Sequence, residues 1–284
     1  MPVAAATGYL PWLMALPTPA PELTAVVTGA SSGIGAEIAR ELARRGHGVT
    51  LVARRAELLQ DLAGELSAAH GIRAEVVPAD LTDPAARAGI AAELEQRGLG
   101  VAVLVNNAGL STTGPVHRSA PADELRMIGT NVDAVVDLCT RFLPQMVERG
   151  AGGILNVAST AAFQPLPGQA GYGASKAFVL SYGHALRGEL RGRGVHVTTL
   201  CPGPVHTGFG EAAGFSAEES EGALPKFMWE EADDVARAGV AGLAADHAVV
   251  IPGLANRVGA GFAAHVPRRF LVPLLARQHP KLRD

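Results

Sequence analysis

From residue 24 onward, short apolar runs alternate with longer stretches in which apolar residues return every three to four positions. The runs Thr24–Thr28, Val49–Ala53, Ala74–Pro78, Val101–Asn106, Ile154–Ala158, His196–Cys201 and Val249–Pro252 are rich in β-branched residues and predict strands. They are nearly uninterrupted rather than alternating, which predicts strands covered by helices on both faces. Ile34, Ile38 and Leu42 predict one helix, Leu58, Leu62 and Leu66 a second, and Val179, Gly183, Leu186 and Leu190 another. Thr82 or Asp83 is placed to cap a helix over about 84–97, with Pro84 in its first turn. Strands alternating with helices imply right-handed crossovers, hence an α/β fold with one doubly wound parallel sheet of about seven strands. Such a sheet binds its ligand at the carboxyl ends of the strands, where the strand order reverses.

Composition narrows the reading. A chain of 284 residues with 48% hydrophobic side chains suits one large domain with a sizeable core. The net charge of −3 gives no electrostatic reason to expect nucleic acid as a partner. Cys139 and Cys201 do not make a disulfide framework or a zinc site, and the nine histidines lack ligand spacing, so no metal is expected. The apolar stretch 1–23 has no basic start and is interrupted by Pro2, Pro11, Pro17, Pro19 and Pro21. It is read as an arm rather than a leader, and the expected location is the cytoplasm.

The candidate chemistry lies at strand ends. The first strand runs into Gly29-Ala30-Ser31-Ser32-Gly33-Ile34-Gly35, where a helix begins. Glycines permit close backbone approach, and the free N–H groups of a helix start suit a pyrophosphate. The second strand ends in Ala53-Arg54-Arg55, with no carboxylate for a ribose 2′-hydroxyl; two arginines suit a 2′-phosphate, which favours NADP over NAD. Tyr172 and Lys176 lie four apart on one predicted helix, one turn from each other. An ammonium beside a phenol lowers its pKa and fits it for proton transfer. Ser159, just after the fifth strand, is placed to hold a carbonyl oxygen.

With these residues in place, the chain from about 24 to 253 resembles the short-chain dehydrogenase/reductase family. The resemblance rests on TGASSGIG at 28–35, Asp80-Leu81, Asn106-Asn107-Ala108-Gly109, Asn131, the trio Ser159, Tyr172 and Lys176, and the segment Pro202-Gly203-Pro204-Val205-His206-Thr207. It implies a single-domain Rossmann fold and an oxidoreductase that passes a hydride between NADPH and a carbonyl or secondary alcohol. Asn131, Ser159, Tyr172 and Lys176 would be catalytic, with Tyr172 as acid/base and Asn131 linking Lys176 to solvent through a water. Gly29, Ser31, Ser32, Gly33, Ile34, Gly35, Arg54, Arg55, Asp80, Leu81, Asn107, Ala108, Gly109, Tyr172, Lys176, Pro202, Gly203, Val205 and Thr207 would line the cofactor site. The end of the chain is similar to a branch holding DltE-like, very-long-chain 3-oxoacyl-CoA and 17-beta-hydroxysteroid reductases.

Three segments complete the expectation. The stretch 206–230 holds Phe209, Phe215, Phe227, Met228 and Trp229, an apolar set suited to close over a bulky apolar ketone or aldehyde, with Glu218, Glu219 and Glu221 in its middle. Ser159, Phe209, Phe215 and Trp229 are the candidate substrate residues. The extension 254–284 carries six basic residues and one acid from Arg257 onward, with Pro267, Pro273 and Pro280 expected to break any long helix. It suits packing on the protein's own body or an oligomer partner better than a membrane surface. The family resemblance implies a homodimer or homotetramer. The competing reading, a cofactor-binding sensor or scaffold without turnover, is disfavoured because both Tyr172 and Lys176 are present.

Overall fold

The computed structural model describes residues 16–216 and 225–282. Seven strands form one parallel sheet: β1 (Leu23–Thr28), β2 (Gly48–Ala53), β3 (Ala74–Pro78), β4 (Gly100–Asn106), β5 (Gly152–Val157), β6 (Val195–Leu200) and β7 (Val249–Val250). Their order is β3-β2-β1-β4-β5-β6-β7, so the direction of winding reverses between β1 and β4. The predicted strands stand with their ends shifted by a residue or two, and β7 stops before Pro252, which has no N–H to give a ladder.

Successive side chains of a strand point to opposite faces, and that divides the core in two. Ala25, Val27, Val103, Val105 and Leu155 pack on one side against α1 (Gly33–Arg44), α2 (Ala56–His70) and a helix over Ala232–Ala244, through Ile38, Leu42, Leu59 and Val240. Val26, Val101, Leu104 and Ile154 pack on the other against α3 (Pro84–Gln96), α5 (Ala134–Arg149) and α6 (Ala170–Glu189), through Ile90, Leu94, Leu138, Phe142 and Val179. Each such buried Leu, Ile, Val or Phe contributes about 1.5–3 kcal/mol of transfer free energy.

Two pattern readings need correction. Leu58 is exposed and Leu59 takes the buried place with Leu62 and Leu66, because a strict four-residue spacing drifts around a 3.6-residue helix while steps of three and four stay on one face. Asp83, rather than Thr82, caps α3 by accepting from the Ala85 N–H, while Thr82 donates to Asp80. The short helices α4 (Pro121–Ile128) and α7 (Phe209–Ala212) belong to the loops above the sheet. The helix over Ala232–Ala244 is α8, and beyond β7 the chain forms α9 (Leu254–His265) and α10 (Arg268–Gln278). Pro267 lies in the break between these two, but Pro273 sits inside α10 without ending it. Among the described residues no helix is long and apolar enough to cross a membrane.

Candidate active site

The turn after β1 is held by a cross-brace to β4 at the point where the sheet reverses. The Thr28 hydroxyl donates to the Val105 carbonyl at 3.1 Å and accepts from the backbone N–H groups of Asn107 and Ala108 at 2.9 and 3.1 Å. The Asn107 side chain returns a bond to the Thr28 carbonyl at 2.9 Å. Within the turn, Gly33 has φ of +57°, and a Cβ on Gly35 would collide with the Gly29 carbonyl. Side chains at these positions would therefore push the start of α1 away from the crevice. A Cβ on Gly33 would also lie 3.1 Å from Thr207 Cγ2, so the turn after β1 and the loop after β6 meet across the cleft.

At the end of β2, Arg55 reaches back over this turn and donates to the hydroxyls of Ser31 and Ser32 at 2.8 and 2.9 Å. Arg54 is exposed beside it, close enough to Asp80 to help hold that carboxyl below its ordinary range. The main cause of the Asp80 shift is hydrogen bonding from the Thr82 backbone N–H and hydroxyl. Leu81 places its side chain in the core, and its carbonyl accepts from Arg87 at 2.7 Å. The cradle of glycines, the two hydroxyls, the guanidinium groups and the absence of an acid at Ala53 fit a phosphorylated dinucleotide.

Tyr172 is the third residue of α6 and Lys176 follows one turn later. Lys176 is only 4% exposed; its Nζ donates to the Val157 carbonyl at 3.0 Å and lies 5.8 Å from the centre of the Tyr172 ring. Burial pushes the ammonium down to about 8. The phenol behaves otherwise than expected from the sequence. Burial raises it, the Ser159 hydroxyl draws it partly back by hydrogen bonding, and Lys176 is not among the groups that shift it. Ser159 begins a short turn over Thr160–Phe163 and accepts from the Ala161 N–H at 3.1 Å. Cys201 is buried beneath the pair, its thiol pushed up to about 12, so it stays neutral.

Asn131 lies in a π-helical segment, Gly129–Asp133, between α4 and α5. Its Oδ1 accepts from the Leu110 N–H at 2.8 Å, and its Nδ2 donates to the Leu110 carbonyl and to Ser175 Oγ, both at 2.9 Å. Ser175 donates to the Tyr172 carbonyl at 2.8 Å. The Asn131 amide thus joins the loop after β4 to the first turn of α6, and both its N–H groups are engaged. Gly109 sits between them, where a Cβ would come within 3.3 Å of Lys176 Nζ.

The loop after β6 brings only part of the predicted substrate set to Tyr172. The Phe209 ring lies 5.8 Å from the Tyr172 ring. Phe215 is next to His279, with centroids 6.0 Å apart, and Trp229 stacks on His206 at 4.8 Å. Phe227 and Met228 turn the other way, lining an open groove with Leu254, Val258 and Phe262 of α9. Glu218, Glu219 and Glu221 lie outside the described residues. Val205 bridges to Glu230, and Gly203 is backed so closely by Asn256 of α9 that a Cβ would collide with its amide. Thr28, Ser175, Asn256 and His279 were not singled out by the sequence. Thr28 belongs to the recognised motif, but the other three act through contacts between distant segments that leave no local pattern.

Comparison with known proteins agrees with this fold. The family model of short chain dehydrogenases matches residues 23–215. Sulfoacetaldehyde reductase 2 of Chromohalobacter salexigens is 40% identical over 186 residues, which is 65% of this chain and 73% of the relative. A short-chain dehydrogenase from Sphingobium yanoikuyae, solved with NADPH, is 35% identical with a TM-score of 0.74, covering 90% of this chain and 93% of the other. The bulky-bulky ketone specific alcohol dehydrogenase of Comamonas testosteroni is 30% identical with a TM-score of 0.70, covering 90% and 92%.

Proposed function

This chain belongs to the short-chain dehydrogenase family and is an NADP-dependent oxidoreductase, and from that premise we propose that it reduces bulky apolar ketones or aldehydes with Tyr172 as the proton donor. The observation that carries the reading is the Tyr172 phenol at the carboxyl ends of the central strands, with Ser159 as its hydrogen-bonding neighbour, Lys176 a turn below and the Phe209 ring 5.8 Å away. NADPH, when bound, supplies the hydride; the protein supplies position and the proton.

Ser31, Ser32 and Arg55 would hold the 2′-phosphate end, and Thr207 and Val205 the nicotinamide end. Ser159 orients the substrate oxygen toward the phenol. Burial raises the phenol and favours its protonated form, which suits donation to a carbonyl oxygen. Lys176, held down to about 8, is poised to pass a proton on near neutral pH. Because both N–H groups of the Asn131 side chain are spent on Leu110 and Ser175, a water serving Lys176 would donate to an oxygen of Asn131 rather than accept from its amide. The aromatic Phe209 beside the phenol supports an apolar substrate, as does the likeness to an enzyme named for ketones bulky on both sides.

The test is Tyr172→Phe. Loss of the proton donor should lower kcat by roughly 10²–10⁴-fold while NADPH binding, read by fluorescence titration, is retained. Full turnover in that variant would refute the mechanism.

A further inference from the structure

The extension beyond β7 returns over the crevice. Arg268, at the start of α10, donates to the Phe163 carbonyl at 3.2 Å, on the loop that leaves Ser159. Leu271, one turn on, is buried. After α10 the chain places His279 in a nearly closed position, 9% exposed, with its N–H bonded to the Leu275 carbonyl and its own carbonyl accepting from Leu282, both at 3.1 Å.

Three loops, following the adjacent strands β4, β5 and β6, meet one another near Tyr172, which the Phe209 ring of the third approaches to 5.8 Å. Gly114 donates to the Gly168 carbonyl at 2.8 Å, and the Gln169 amide donates to Ser111 Oγ at 2.9 Å, which ties the first loop to the second. A Cβ on Gly214 would touch Thr113, which ties the first to the third. Among the described residues, His279 stands between the second and third, against Gly168 and Phe215. Its ring lies so close to Gly168 that a Cβ there would stand 2.7 Å from His279 Cγ, and its centroid is 6.0 Å from that of Phe215. Gly168 precedes Tyr172 by four residues, and Phe215 is bonded back through its N–H to Gly210, beside the Phe209 that faces Tyr172.

We propose that His279 is a specificity-determining residue: the C-terminal extension closes the substrate pocket within its own chain, and the imidazole forms the outer wall between Gly168 and Phe215. The assignment rests on the carbonyl-reductase reading of the same site. A wall built from the tail limits how far a substituent of the ketone extends beyond Phe209, so His279 acts on substrate affinity and size preference and not on the hydride or proton transfer.

The experiment measures binding without turnover. The NADP⁺-loaded chain has no hydride to give, so the dissociation constant of ketones graded in size can be read by calorimetry. His279→Ala should change that constant about tenfold or more for ketones with a ring on each side of the carbonyl, change it little for small ones, and leave NADP⁺ binding unaltered. His279→Phe, which restores a flat ring of similar volume, should recover much of the wild-type preference. Constants equal to wild type in His279→Ala across the series, with the variant folded and binding NADP⁺, would overturn the proposal, as would failure of every ketone to bind the wild-type complex. Failure of the reductase reading would show separately, as ketone binding without consumption of NADPH by the wild-type chain.

Discussion

Arg55 reaches across the Gly-rich turn to two serine hydroxyls, so three hydrogen-bonding groups already converge where a 2′-phosphate is expected to lie. Charge-assisted bonds to such a group contribute about 1.5–3 kcal/mol. Replacing Arg55 with Glu should therefore raise the NADPH dissociation constant by roughly 10–100-fold or more, and leave that for NADH nearly unchanged. Equal effects on both cofactors would mean the arginine only shapes the turn. This residue was legible in the sequence because the argument needs only charge and a position at a strand end. The surroundings of the Tyr172 phenol were not, because they depend on how far the fold buries it and on how the chain after β5 brings Ser159 beside it.

At the scale of elements, the helix that carries Tyr172 and Lys176 is set by how closely it approaches the sheet. Gly183 of α6 faces β6, where a Cβ would collide with Thr199 Oγ1. Gly183→Ala should push α6 outward, costing about 1–3 kcal/mol of stability and lowering kcat along with it, since the tyrosine moves with the helix. Thr199→Ala removes the colliding atom, and the double variant should regain most of both losses. A purely additive cycle would show that the approach of α6 to β6 does not position the site. Periodicity exposed α6 through Val179, Gly183 and Leu186, with Leu190 at its C-terminal cap, all buried as expected. It did not expose the π segment around Asn131, because one widened turn barely alters the spacing of apolar residues, nor the placing of Phe209 beside Tyr172 and of Phe227 away from it, which loop geometry alone decides.

For the molecule as a whole, the order of strands and helices could be read from the chain because each strand is locally apolar and each crossover locally periodic. The return of the tail over the crevice could not, since it rests on contacts such as Arg268 with Phe163 and His279 with Gly168, more than a hundred residues apart. The response of the fold to acid is likewise set by long-range burial. His47, in the turn between α1 and β2, is 4% exposed; burial, aided by the neighbouring Arg45, pushes its imidazole down to about 4. An unfolded histidine titrates near 6.5, so between these values the unfolded chain binds a proton that the folded chain does not. The contribution of His47 is therefore fully present above about 6.5 and is lost as the pH falls toward 4. The carboxylates held low by partners, Asp137 with Arg87 and Asp246 with Arg187, lose their share chiefly below the unfolded carboxylate value of about 4, under most of this window. Between pH 7 and pH 4.5 the free energy of unfolding should fall by about 2–3 kcal/mol on account of His47. Urea unfolding at the two pH values, in the wild-type chain and in His47→Gln, measures the difference; an equal fall in both would assign the acid sensitivity to other groups.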